Sequence, residues 1–151
     1  MGADVTVRSR TLHKHEDAKR FGAAHHLATK DDATFTDNAS AFDLITNTVS
    51  ADLPMDAYMA LLRPLGALVN VGLPSKPYEI APFSVVGGSR ALAGSNIGGI
   101  AQTQEMLDFC AEHHLGAEVE VISADQVNGA YERVLASDVR YRYVIDAASL
   151  A

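Results

Sequence analysis

Short apolar or β-branched runs alternate with amphipathic runs along most of the chain, and this alternation constrains the fold more than any other feature. "DVTV" (residues 4–7), "HHLAT" (25–29), "FDLITNTV" (42–49), "ALVNVG" (67–72) and "RALAGS" (90–95) read as strands. Between them, "HEDAKRFG" (15–22) predicts a helix with Ala18 and Phe21 on one face, ending at Gly22. "MDAYMALLRPLG" (55–66) predicts a second, with Met55, Met59 and Leu62 on one face, stopped by Pro64 and Gly66. "DDATFTDNAS" (31–40) is polar and at most a weak helix, "LPSKPYEIAP" (73–82) is a proline-stiffened loop, and "FSVVGGS" (83–89) is a short helical turn. Strands that alternate with helices predict βαβ units and a largely parallel α/β sheet. The near-continuous apolar run from Phe42 to Ile45 fits a strand covered on both faces.

The character changes near Ile97. A helix is expected over residues 100–114, with Met106, Leu107, Cys110 and Ala111 facing inward. Another is expected over 124–137, with Val127, Ala130, Tyr131 and Leu135 on one side. "AEVEVI" (117–122) and "YRYVID" (141–146) alternate with a period of two, as antiparallel or half-exposed strands of a different sheet do. At the other end, "MGADVTV" enters a strand almost at once. "MGA" reads as the close of a helix and its turn, so a preceding segment is expected.

Charge and side-chain chemistry narrow the function. Twelve Lys and Arg stand against 19 Asp and Glu, a net charge of −7, which repels polyanions and argues against nucleic acid as a partner. Six of the twelve cations (Arg8, Arg10, Lys14, Lys19, Arg20 and Lys30) fall in the first thirty positions, a local seat for a small anion. No apolar run reaches the ~18 residues of a membrane span and no basic-then-apolar leader opens the chain, so a cytoplasmic protein without a membrane segment is expected. The single cysteine, Cys110, reads as a small core residue. His25-His26 and His113-His114 are adjacent pairs whose side chains diverge, and no zinc-ligand spacing occurs, so no metal site is assigned. No nucleophile elbow or Ser-His-Asp arrangement is visible, so no catalytic residue is assigned.

Three stretches carry candidate chemistry. "VRSRTLHK" (7–14) follows a strand at the place where a dinucleotide fold reads the adenosine ribose. It holds Ser9, Arg10, Thr11 and Lys14 in place of a carboxylate, a set that welcomes a 2′-phosphate; a solvated turn is the plainer reading. "NTVSADLPMD" (47–56) puts Asn47, Thr48 and Ser50 at a strand end, where ligands collect in open α/β sheets and where helices are also capped. "AGSNIGG" (93–99) turns from a strand into a helix. Its glycines lack the G-x-G-x-x-G spacing of a pyrophosphate cradle; they permit either a tight turn or close approach of bare backbone to a flat ligand.

"FDLITNTVSADLPMDAYMALLRPLGALVNVGLP", "LAGSNIGGIAQTQEMLDFCAEH" and "ADQVNGAYERVLASDVRYRYVID" closely resemble the C-terminal, coenzyme-domain portion of zinc-dependent medium-chain alcohol dehydrogenases. The similarity is strongest to the cinnamyl-alcohol-dehydrogenase-like, NADP-using branch, and it covers essentially the whole chain. The resemblance implies a Rossmann-like NADP-binding part over residues 1–97 and a segment over 98–151 that returns to the catalytic domain. It implies that Ser9, Arg10, Thr11 and Lys14 grip the 2′-phosphate, with Arg10 in place of a family hydroxyl. It sets Thr48 near the ribose, Val71 and Gly72 with their backbone facing the nicotinamide, and Ser95, Asn96 and Ile97 around its carboxamide. The glycine corner then serves the nicotinamide and the domain junction. "RALAG" (90–94) resembles the edge strand that pairs across a homodimer.

The same resemblance implies that the family's first strand and Gly-rich turn, and the domain carrying zinc and most of the substrate pocket, lie upstream of Met1. In the strand order 3-2-1-4-5-6 the first strand is central. Without it, unpaired buried peptide groups at ~1–3 kcal/mol each would offset most of the ~5–15 kcal/mol stability of a domain. The expectation is therefore a fragment, or a sheet closed by direct pairing of strands 4–8 and 42–47. Three functions stay open: the coenzyme-binding part of an NADP-dependent zinc alcohol dehydrogenase acting on an alcohol or aldehyde, inactive alone; a non-catalytic nucleotide-binding or dimerisation module; and a zinc-free reductase of the same superfamily.

Overall fold

The computed structural model describes residues 2–30 and 33–150; Asp31 and Asp32, which open the weak-helix segment, lie outside the described residues. The chain divides into two compact units, Met1–Asn96 and Ile97–Ala151.

The first unit alternates strand and helix. Its elements are β1 (Thr6–Ser9), α1 (His15–Arg20), β2 (His25–Ala28), α2 (Ala33–Asp37), β3 (Phe42–Asn47), α3 (Met55–Ala60), β4 (Leu62–Asn70), α4 (Pro82–Val86) and β5 (Ala91–Gly94). All described pairings are parallel: β1 with β2, β3 with β4, and β4 with β5. The strands form two ladders, β1-β2 and β3-β4-β5. The expected direct pairing of strands 4–8 and 42–47 is not what the chain does. Among the described residues β1 pairs with β2 and β3 with β4, and β1 and β3 do not pair with each other.

Helix α1 stops where Gly22 takes φ +89°, a left-handed value that glycine accepts without a Cβ penalty. Helix α3 is shorter than its sequence period suggests. It places Met55 and Met59, one turn apart, under the sheet, where they are fully buried with Leu62 and Leu68. Ile45, Leu53, Tyr58, Tyr78, Ile80 and Val85 pack around this cluster. Full burial of each such Met or Leu contributes about 1.5–3 kcal/mol.

Leu62 and Pro64 belong to β4 and not to the helix expected over 55–66. Pro64 lacks an N–H and Leu65 takes φ 66°, so the strand bulges there and its register on β3 shifts between Phe42 and Leu44. Arg90 Nε holds the start of β4 by donating to the Leu62 carbonyl at 3.0 Å.

The second unit contains α5 (Ile100–Glu112), β6 (Glu120–Ile122), α6 (Val127–Leu135) and β7 (Tyr143–Ile145). Gln102 Oε1 accepts from the Gly99 N–H at 2.9 Å and starts α5. The inward stripe expected on α5 is not buried: Met106 and Leu107 are about half exposed, and Cys110 is half-buried with its Sγ 3.6 Å from Met106 Sδ. On α6 only Ala130 is buried; Tyr131 and Leu135 are exposed. β6 and β7 pair in parallel in a sheet of their own. The antiparallel reading is corrected, and the alternation reflects half exposure, since Val121 faces solvent between half-buried Glu120 and Ile122.

Candidate functional site

Two groups of predicted site residues lie at the C-terminal ends of strands in the first unit. The first closes β1. Ser9 ends the strand, and its carbonyl accepts from the Thr29 N–H at 2.9 Å. The Ser9 hydroxyl donates to the Thr11 carbonyl, which folds the bend back on itself. With its one proton used, Ser9 Oγ accepts from His26 Nε2 at 2.8 Å. The His26 ring stacks on His15 at 5.6 Å, 2° from parallel. Burial, and secondarily the His15 charge, push the His26 pKa below its ordinary value, so the neutral ring is favoured. Arg10 and Thr11 are exposed on this bend, and Lys14 is half-buried at the start of α1. Ser9 thus shapes the bend, and Arg10, Thr11 and Lys14 place two cations and a hydroxyl within it, donor types suited to a phosphate dianion.

The second group lies where β3, β4 and β5 end together. Asn47 and Asn70 are register partners on β3 and β4. Asn47 is buried; its Nδ2 donates to Asn70 Oδ1 at 2.7 Å and to the Tyr78 hydroxyl at 3.2 Å. Tyr78 donates to Asn70 Oδ1 at 3.0 Å, and Asn70 Nδ2 donates to the Gly72 carbonyl at 2.6 Å. The Val49 N–H returns to Asn47 Oδ1 at 3.0 Å. This network fixes the backbone on which Thr48, Val71 and Gly72 sit. Gly72 approaches β3 so closely that an added Cβ would lie 2.2 Å from the Val49 carbonyl oxygen. Ser95 joins the rim through its N–H to the Asn70 carbonyl at 3.1 Å. Thr48, Val71, Ser95 and Asn96 are exposed, Gly72 is buried, and Ile97 opens the second unit.

A cavity of about 140 Å³ has Thr6 and Arg8 of β1 on one side and β3 residues as far as Thr48 on the other. Arg8 lies over the rings of Phe35 and Tyr58, at 4.6 and 5.4 Å from their centres. Its three guanidinium nitrogens are covered and without a hydrogen-bond partner. Desolvation pushes its pKa down, with Tyr58 opposing the shift. The sequence marks Asn47 as a strand-end polar residue but gives no role to Asn70 or Tyr78. The one available signal is that "LITN" and "ALVN" end alike, as neighbouring strands with matched ends do. Among the described residues, no three His, Cys, Asp or Glu converge to hold a metal, and no helix is long and apolar enough to cross a membrane.

Residues 1–112 match the family described as zinc-binding dehydrogenase. A probable formaldehyde dehydrogenase of Bacillus subtilis is 57% identical over 150 residues, covering 99% of this chain and 43% of the relative. NADP-dependent alcohol dehydrogenase C 1 of Mycolicibacterium smegmatis is 59% identical over the same shares. Among solved structures, a cinnamyl alcohol dehydrogenase of Sorghum bicolor superposes with a TM-score of 0.92 at 42% identity, over 97% of this chain and 42% of that one. The cinnamyl alcohol dehydrogenase of Helicobacter pylori complexed with NADP(H) superposes with a TM-score of 0.85 at 32% identity, over 98% and 42%. The chain spans less than half the length of these relatives.

Proposed function

Since the chain belongs to the zinc-binding dehydrogenase family, with the Rossmann-like fold of its coenzyme domain, we propose that it is the coenzyme-binding part of an NADP-dependent alcohol dehydrogenase. The observation that carries the reading is the bend after β1, where a carboxylate is replaced by Ser9, Arg10, Thr11 and Lys14. The NADP-dependent relative and the NADP(H) complex support the same choice of coenzyme. In this reading the bend holds the 2′-phosphate and Thr48 lies by the ribose. The Val71–Gly72 backbone faces the nicotinamide, and Ser95, Asn96 and Ile97 hold its carboxamide. Bound coenzyme supplies hydride exchange with a small alcohol or aldehyde. The residues of this chain bind and orient it; residues 1–97 do most of that work and 98–151 serve the catalytic side.

Zinc does not fit the described residues, which converge in no ligand set, and no step of this chain's chemistry runs through it. The exposed strand β5 supports assembly as a homodimer through residues 90–94, since its outer edge has no partner strand among the described residues. A cytoplasmic site of action completes the proposal.

Titration of the purified chain with NADPH and NADH tests the coenzyme assignment. A charged hydrogen bond contributes about 1.5–3 kcal/mol, so Arg10→Ala and Lys14→Ala should each weaken NADPH by roughly ten- to a hundredfold and leave NADH nearly unchanged. Equal affinity for the two coenzymes, with equal losses in the variants, would remove the 2′-phosphate from the bend.

A further inference from the structure

Two histidine rings stand beside the bend that carries Ser9, Arg10, Thr11 and Lys14. His26 is the register partner of Val7 on β1, and side chains alternate along a strand, so Ser9 shares the sheet face of His26. His26 Nε2 lies 2.8 Å from Ser9 Oγ, and the His15 ring is stacked on His26 at 5.6 Å. His15 opens α1 straight from the bend, with its N–H donating to the Leu12 carbonyl at 3.0 Å, and it is exposed. The two rings differ in their freedom to hold a proton. His26 uses its Nε2 proton on Ser9, and its Nδ1 is covered and without a hydrogen-bond partner. A second proton there would be a buried donor with no acceptor. The exposed His15 ring has water to solvate an added proton. The charged groups around the pair are mainly cations. Helix α1 contributes Glu16, Asp17, Lys19 and Arg20, with Arg20 on Asp17 at 3.3 Å. The bend contributes Arg10, His13 and Lys14, and Lys30 follows β2. Arg8 and His25 project from the other sheet face, Arg8 over Phe35 and Tyr58 and His25 toward Asp4 at 3.8 Å.

We propose that His15 is a further coenzyme-specificity residue: it takes a proton from solvent as the 2′-phosphate binds at the bend and becomes a third cation on that phosphate, beside Arg10 and Lys14, while His26 stays neutral and holds Ser9. The inference rests on the assignment of the 2′-phosphate to the bend. Its one step is protonation of an imidazole nitrogen by solvent, with no bond to phosphorus made or broken. With the bend empty, the surrounding cations oppose a proton on the pair, and burial and His15 already push His26 below its ordinary pKa. A phosphate dianion reverses that balance, because it brings opposite charge to the exposed ring of the pair. NADH carries no 2′-phosphate and leaves the balance as it was. In general a dianion within ~4–6 Å raises an imidazole pKa by about one unit, which at pH 7 adds about half a proton and strengthens binding several-fold.

Calorimetric titration of the purified chain with NADPH and NADH at pH 7, in two buffers of different ionisation heat, counts the protons taken up on binding. NADPH should take up about half a proton more in the native chain than in His15→Gln, and NADH the same number in both. Proton exchange by the phosphate itself is common to both chains and cancels in the difference. His15→Gln should bind NADPH about fivefold more weakly and still prefer it to NADH. His15→Arg, a permanent cation, should restore the NADPH affinity without restoring the uptake. Equal proton counts in the native chain and His15→Gln, or a His15→Arg chain as weak as His15→Gln, would overturn the proposal, and a retained preference for NADPH would leave the bend assignment standing. A native chain with no preference for NADPH would overturn both.

Discussion

His26 illustrates how one side chain ties the candidate site to stability. Its pKa is depressed in the folded chain by burial and by His15, while the unfolded chain protonates it near its ordinary 6.5. Below that pH the unfolded state binds more protons, so stability is fully present above about 6.5 and declines as pH falls toward the folded value. Urea unfolding at pH 7.5 and 5.5 should show a loss in the native chain that His26→Asn reduces; an identical loss in both would contradict this. Arg8 makes the opposite case. Its covered guanidinium has no hydrogen-bond partner, and the ring stacking returns only about 0.5–1 kcal/mol. Arg8→Leu should therefore raise stability by about 1 kcal/mol, read as a higher urea midpoint; a lower midpoint would show that the cation stabilises the fold. Asn47→Leu should lower stability by about 1–3 kcal/mol, because it leaves the Val49 N–H without its acceptor and takes one donor from Asn70 Oδ1 and from the Tyr78 hydroxyl at a buried position. An unchanged midpoint in Asn47→Leu would mean that the network stores little energy.

The strand ends depend on a close backbone approach at the scale of whole elements. Gly72→Ala would press a methyl against the Val49 carbonyl and force β3 and β4 apart at their ends, at a cost of about 1–3 kcal/mol. Thermal unfolding should show the loss, and chemical shifts of Thr48 and Ser95 should move with it; a fully native spectrum would contradict the tight packing. The βαβ order of the first unit was legible in the sequence because each element has its own apolar period and its own breaker, such as Gly22 after α1. Pro64 misled, since a proline that ends a helix also fits a bulged strand, and only the pairing of Leu62 with Phe42 separates the two. The direction of β6 against β7 was not legible, because half exposure gives the same alternation in either direction. The polar turn after β1 was legible as a turn from its residues. Asn70 and Tyr78 were not, because their roles come from register and from a loop that folds back on β4.

The two ladders, the bend and the rim give the whole molecule its meaning. The strands run in parallel within each ladder, so the polar residues of the site gather at strand ends, where doubly wound folds bind dinucleotides. Family membership fixes the fold, and the coenzyme assignment rests on the claim that the bend and the rim engage the two ends of one molecule. Backbone amide shift mapping by NMR tests this most directly, with NADPH and adenosine 2′,5′-bisphosphate added separately to the labelled chain. The account predicts that the bisphosphate moves only Ser9, Arg10, Thr11 and Lys14 and their neighbours. NADPH should move these together with Thr48, Val71, Gly72 and Ser95 at one common affinity. Shifts from NADPH that leave either group untouched, or that saturate at different concentrations in the two groups, would contradict it.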